Sequence, residues 1–152
     1  MMTVYFDTCA LNRLTDNLSQ PRVLAEAEAV LHALELIAAS QVAWLISEFV
    51  RIEIARNPDA IKRAQTLPLL DMASGQIKTT PEILRQAYAL QAEGFDPFDA
   101  MHLAACDESS IDCLLTVDDR LIRRAARRRN PSVTQVMNPV DWLQRRSTWP
   151  RP

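Results

Sequence analysis

The chain has 152 residues, a formal net charge of −2, 48% hydrophobic and 24% charged residues, the balance of one soluble globular domain spanning 1–152. That charge excludes a general electrostatic nucleic-acid binder. No apolar run approaches the ~20 residues that cross a bilayer, so no membrane span is expected. Two glycines, Gly75 and Gly94, leave no glycine-rich phosphate loop.

Val4-Tyr5-Phe6 reads as a buried strand ending at Asp7. A long helix follows, with Pro21 in its first turn and Val23, Ala27, Val30, Leu31, Leu34 and Ala38 at helical spacing. Val42 to Ile46 reads as a second strand, and Ser47 is a natural N-cap for the next helix. Asn57-Pro58-Asp59 ends that helix and starts another, running to about Asp71. Ile77 to Thr79 reads as a short edge strand, Pro81 opens a helix and Gly94 closes it. Asp96-Pro97 supplies an N-cap acid and a proline at the first helical position of a helix running to about Cys106. Cys113 to Val117 is the next strand, followed by an arginine-rich helix from about Asp119. Val133 to Met137 is the last strand, and Asn138-Pro139 leads into a short helix carrying Trp142. Trp142 and Trp149 read as packing anchors. The three cysteines, Cys9, Cys106 and Cys113, lack CxxC spacing and read as buried reduced thiols of a cytoplasmic protein. Met1 to Asp7 lacks the basic n-region of a signal peptide.

Alternating strands and helices predict a three-layer α/β/α domain around a mostly parallel sheet of four to five strands. Right-handed crossovers then align every strand's C-terminal end along one edge, where ligands bind near the topological switch point. Asp7 and Asp118 each follow a strand directly and project from that edge. Asp99 lies in the first turn of its helix, and Glu53 shares an inward face with Phe49 and Val50, so it needs a partner if buried. Carboxylates converging there repel and raise one another's pKa, which a hard divalent cation relieves. Each acid also has a structural role open to it. Asp7 can cap a turn, Asp99 meets the helix dipole, Asp96 fits an N-cap, and one of Asp118 and Asp119 can cap the arginine-rich helix. Glu48 competes with Glu53 on the same helix.

The stretch Val4 to Arg13, VYFDTCALNR, resembles the opening of PIN-domain proteins, with Asp7, Thr8 and Asn12 matching. Ile46 to Glu53 resembles the family's second motif and selects Glu53 over Glu48. Phe98 to Ala105, FDAMHLAA, selects Asp99 over Asp96, and Leu114 to Leu121, LLTVDDRL, gives Thr116 and Asp118, with Asp119 as an extra acid. The motifs occur in order across Val4 to Leu143. Val117 stands where toxin members of the VapC-like type often carry Asn, and the doubled acid Asp118-Asp119 is a second departure.

The resemblance implies an endoribonuclease holding Mg²⁺ or Mn²⁺ through Asp7, Asp99, Asp118 and Asp119. Glu53 would orient water, with Thr8, Asn12 and Thr116 in support. It also implies an RNA substrate, an antitoxin protein if the toxin branch holds, and a homodimer. The antitoxin surface is expected on a helical hairpin from Arg22 to Ala39 with the Ser47–Arg56 helix. Loss of the metal site in such a domain would leave an RNA- or protein-binding scaffold, the alternative reading. A haloacid-dehalogenase-type phosphatase would need a second Asp where Cys9 stands, and a receiver-like domain would need a late-strand Lys, whereas the only lysines are Lys62 and Lys78. The arginine run at 123–124 and 127–129 reads first as a solvated helix end and second as a phosphate contact. His102 shares a helical face with Asp99 and reads as a satisfied structural histidine.

Overall fold

The computed structural model describes residues 1–148. Trp149 therefore lies outside the described residues. Five parallel strands form one sheet in the order β3-β2-β1-β4-β5: β1 Thr3–Phe6, β2 Ala43–Ser47, β3 Gly75–Ile77, β4 Cys113–Leu115 and β5 Gln135–Met137. Helices cover the sheet, giving the three-layer α/β/α architecture expected. The order runs outward from β1 in both directions, so the switch point falls between β1 and β4. β1 is central, and Val4, Tyr5 and Phe6 are fully buried, as a strand covered on both faces must be.

The helices are α1 Thr8–Asn12, α2 Pro21–Ala38, α3 Glu48–Ala55, α4 Ala60–Thr66, α5 Pro81–Ala92, α6 Pro97–Glu108, α7 Asp119–Ala126 and α8 Pro139–Gln144. Proline opens α2, α5, α6 and α8, where its missing N–H costs nothing. Gly94 lies between α5 and α6 at φ 105°, a conformation that side chains disfavour. A Cβ there would also run into the Arg124 guanidinium.

Several expectations change in detail. The short α1 was not foreseen, because five residues carry no periodicity. The segment Arg22 to Ala39 is one helix rather than a hairpin, and its Leu31 is 51% exposed. The helix after Asp59 stops at Thr66 and passes into a 3-10 segment, Leu67–Met72. β4 and β5 are shorter than read, and β3 begins two residues earlier. Trp142 is fully buried, as a packing anchor should be. Among the described residues no helix is long and apolar enough to cross a membrane.

Candidate metal centre and the comparisons

Asp7 ends β1 and caps α1: its Oδ1 accepts the Ala10 N–H at 3.0 Å. The structural role is therefore real, but it occupies only part of the carboxylate. The remaining contacts are the Cys9 thiol, at 3.1 Å from each oxygen, and the Thr116 hydroxyl. Cys9 is thus not the fully buried thiol expected; it is half-buried against Asp7 and Thr116. Burial and the adjacent Asp7 charge push the Cys9 thiol well up, so it is a donor rather than a nucleophile. Asp7 is 4% exposed, and burial raises its carboxyl although the Thr116 hydroxyl, Cys9, His102 and the Ala10 N–H pull the other way.

Asp118 is the N-cap of α7, its Oδ1 accepting from the Arg120 and Leu121 N–H groups at 2.9 and 3.3 Å. Its other oxygen makes no hydrogen bond among the described residues. Thr116 accepts the Asp118 N–H at 3.1 Å and so joins the two acidic strand ends. Asp99, in the first turn of α6, is half-buried and makes no hydrogen bond among the described residues. Burial, with the charges of Asp7, Asp118 and Asp96 outweighing His102, pushes its carboxyl up to about 7. The structure thus brings Asp7, Asp99 and Asp118 within electrostatic reach at the switch-point edge. None of the three forms an ion pair among the described residues. Asp96 occupies the N-cap position of α6 without making the expected side-chain bond.

Glu53 comes from α3 and is tied in by partners the sequence did not reveal. Its Oε1 accepts the Thr8 hydroxyl at 2.8 Å and meets His102 Nε2 in a short contact. Burial opposes the charge, but His102 and Thr8 outweigh it and hold the Glu53 carboxyl below the usual range. His102 is 1% exposed, and its Nδ1 stands 2.5 Å from the Tyr5 hydroxyl, which in turn meets Ser47 Oγ at 2.6 Å. A buried chain Ser47–Tyr5–His102–Glu53–Thr8 therefore runs from the core to the acidic edge. Ser47 spends its hydroxyl on this chain instead of capping α3, which corrects the expected side-chain cap. Glu48 lies outside it, bonded to the Thr79 hydroxyl at 2.6 Å.

Two other expected residues are placed differently. Asp119 is drawn away from the cluster: both its oxygens bind Arg22, at 2.9 and 2.8 Å, and half its side chain is in solvent. Asn12 ends α1, and its side chain makes no hydrogen bond among the described residues. Arg22 also reaches the Val117 carbonyl at 3.4 Å and the buried Glu26 at 3.4 Å. Glu26 further accepts from Arg13 at 3.1 Å and from Asn138 at 2.5 Å. This α2 network fixes the loop that carries Asp118.

Residues 4–127 of the chain match the sequence pattern of the PIN domain family. The chain belongs to the PIN domain family. A search among curated proteins finds no match. Solved structures similar to this PIN domain include VapBC2 from Rickettsia felis bound to a DNA fragment from their promoter, at 13% identity and TM-score 0.62, covering 90% of this chain and 98% of that one. PAE2754 from Pyrobaculum aerophilum is similar at 18% identity and TM-score 0.54, covering 97% of each chain. At these identities the likeness concerns the fold.

The donor set of this PIN domain fits a hard cation. It consists of carboxylate oxygens with free valences, forms no ion pair among the described residues, and includes one acid pushed up to about 7 by burial and by the charges of its neighbours. Among the described residues no three His, Cys, Asp or Glu side chains already stand in ligating geometry, so the fit rests on donor chemistry.

Proposed function

We propose that this protein is a Mg²⁺- or Mn²⁺-dependent endoribonuclease that hydrolyses RNA phosphodiester bonds. The observation that carries the proposal is the gathering of Asp7, Asp99 and Asp118 at the sheet's switch point without an ion-pair partner, with Asp99 pushed up to about 7. Isolated acids of purely structural use are normally paired.

Asp7, Asp99 and Asp118 would hold the cation. When bound, it supplies a Lewis acid for the phosphoryl oxygen and lowers the pKa of a water. Glu53 keeps one oxygen on Thr8 and His102 and has the other to accept a proton or orient a water. The buried Tyr5–His102 pair fixes the rotamer of Glu53 and keeps it ionised. Thr116, beside Asp7 and under the Asp118 N–H, holds two ligands in register. Asp119, with both oxygens engaged by Arg22, would not be a ligand in this reading. The fold shared with VapBC2 extends the proposal to a small antitoxin protein that covers this edge, in a cytoplasmic setting.

Incubating purified protein with mixed-sequence RNA, in Mn²⁺ or in chelator, tests the reading. Cleavage in Mn²⁺ that vanishes in Asp7→Asn is the expected result. Cleavage surviving in that variant refutes the assignment of the site. Absence of cleavage together with no rise in melting temperature on adding Mn²⁺ favours the binding scaffold instead.

A further inference from the structure

Six of the chain's 17 lysines and arginines fall within ten residues, at Arg120, Arg123, Arg124, Arg127, Arg128 and Arg129. The structure divides them by use. Arg124 donates to the Gly94 carbonyl, and Arg128 pairs with Asp107 at 2.7 Å with its side chain only 4% exposed. The side chains of Arg120, Arg123, Arg127 and Arg129 are exposed and make no hydrogen bond or ion pair among the described residues. Arg123 contributes only a longer-range attraction to Asp119. The spacing 120, 123, 127 aligns three of these along α7 and its C-cap, Arg127, over about 10 Å at 1.5 Å per residue, with Arg129 beyond the helix.

That row borders a cleft of about 380 Å³ whose lining includes Glu93 and Phe95 together with the three arginines. The cleft adjoins a small depression that shares Arg120 and Phe95 with it and reaches Asp96 and Asp99. The stripe therefore begins two residues after Asp118, a candidate ligand, and leads away from the acids along an open surface. A solvated helix end would leave its cations scattered or satisfied. Here five arginines line the cleft: Arg124 and Arg128 are held by Gly94 and Asp107, while Arg120, Arg123 and Arg127 keep their guanidiniums free.

We propose that Arg120, Arg123 and Arg127 form the track for the sugar-phosphate backbone of single-stranded RNA on one side of the cleaved bond. The proposal rests on the ribonuclease reading and assigns the direction in which the substrate leaves that site. A polyanion is the occupant that matches three unpaired guanidiniums, each able to fork onto a phosphate. The acid edge repels RNA in the absence of a cation, so a cationic approach beside it offsets a charge of −2 on the whole chain.

The test measures binding of a fluorescently labelled single-stranded RNA in chelator, across a series of salt concentrations. It compares the wild type with Arg120→Gln/Arg123→Gln/Arg127→Gln. A control carries the same charge loss at Arg85, Arg145 and Arg146, on α5 and the last 3-10 turn. In the stripe variant the slope of log K against log salt should flatten by about 2, since each phosphate contact on a single strand contributes about 0.7. The control should change it little. Arg120→Gln alone, least able to disturb folding, should flatten the slope by about 0.7. Equal slopes in stripe variant and control overturn the proposal. So does a selective loss of binding to a glutamate-rich peptide with RNA binding intact, which would assign the stripe to an acidic protein partner. Because binding is read without metal, this outcome is separable from failure of the wild type to cleave, which strikes the ribonuclease reading itself.

Discussion

Asn in place of Asp99 should stabilise the metal-free protein at pH 7.5. Burial and the neighbouring acids raise the Asp99 carboxyl from 3.8 to about 7. The folded state therefore retains a proton that the unfolded chain has released, and stability falls as pH rises from about 4 to about 7. Each pH unit of displacement corresponds to about 1.4 kcal/mol, about 4 kcal/mol in full. Solvent at a half-buried carboxylate screens this to about 2 kcal/mol. For a chain of this size that is a rise of about 4–8 °C in melting temperature. Thermal melts in chelator at pH 7.5 and 4.5 measure it. The advantage of Asp99→Asn should shrink to about a quarter at pH 4.5, where the wild-type folded carboxyl is already neutral. Adding Mn²⁺ at pH 7.5 should favour the wild type and narrow or reverse the gap. A variant no more stable than wild type at pH 7.5, or a gain independent of pH, would refute the electrostatic account of the site.

Tyr5→Phe removes the hydroxyl between Ser47 and His102 and strands two buried polar groups, so urea unfolding should show a loss of about 2 kcal/mol. Cleavage should fall with it, since His102 then loses one of the two contacts that aim it at Glu53; an unchanged midpoint and unchanged rate would contradict the chain of contacts. Glu26→Ala leaves Arg13, Arg22 and Asn138 without their shared acceptor, and should cost about 3 kcal/mol with little change in the denaturant slope. A loss under about 0.5 kcal/mol would mean that the network stabilises nothing beyond ordinary surface pairs.

The sheet was legible because its signals are local. Apolar runs end at Asp7 and just before Asp118, and prolines mark the starts of α2, α5, α6 and α8. Candidate acids followed from topology, since a parallel sheet puts all strand ends on one edge. What stayed hidden is carried by pairs distant in sequence. Tyr5 meets His102 across 97 positions, and Arg22 meets Asp119 across another 97. No spacing rule links such residues. The one available hint was chemical: a tyrosine in a doubly covered central strand must find a partner for its hydroxyl. Leu31 misled because helical period alone does not say how wide a buried stripe is.

Calorimetric titration of Mn²⁺ into the purified protein tests the central claim most directly. The account predicts binding to the wild type that weakens at least about tenfold in both Asp7→Asn and Asp99→Asn, corresponding to a loss of about 1.4 kcal/mol or more. Asp119→Asn should bind as the wild type does, because Arg22 already occupies that carboxylate. Equal binding by Asp7→Asn and the wild type, or heat of binding lost only in Asp119→Asn, would contradict it.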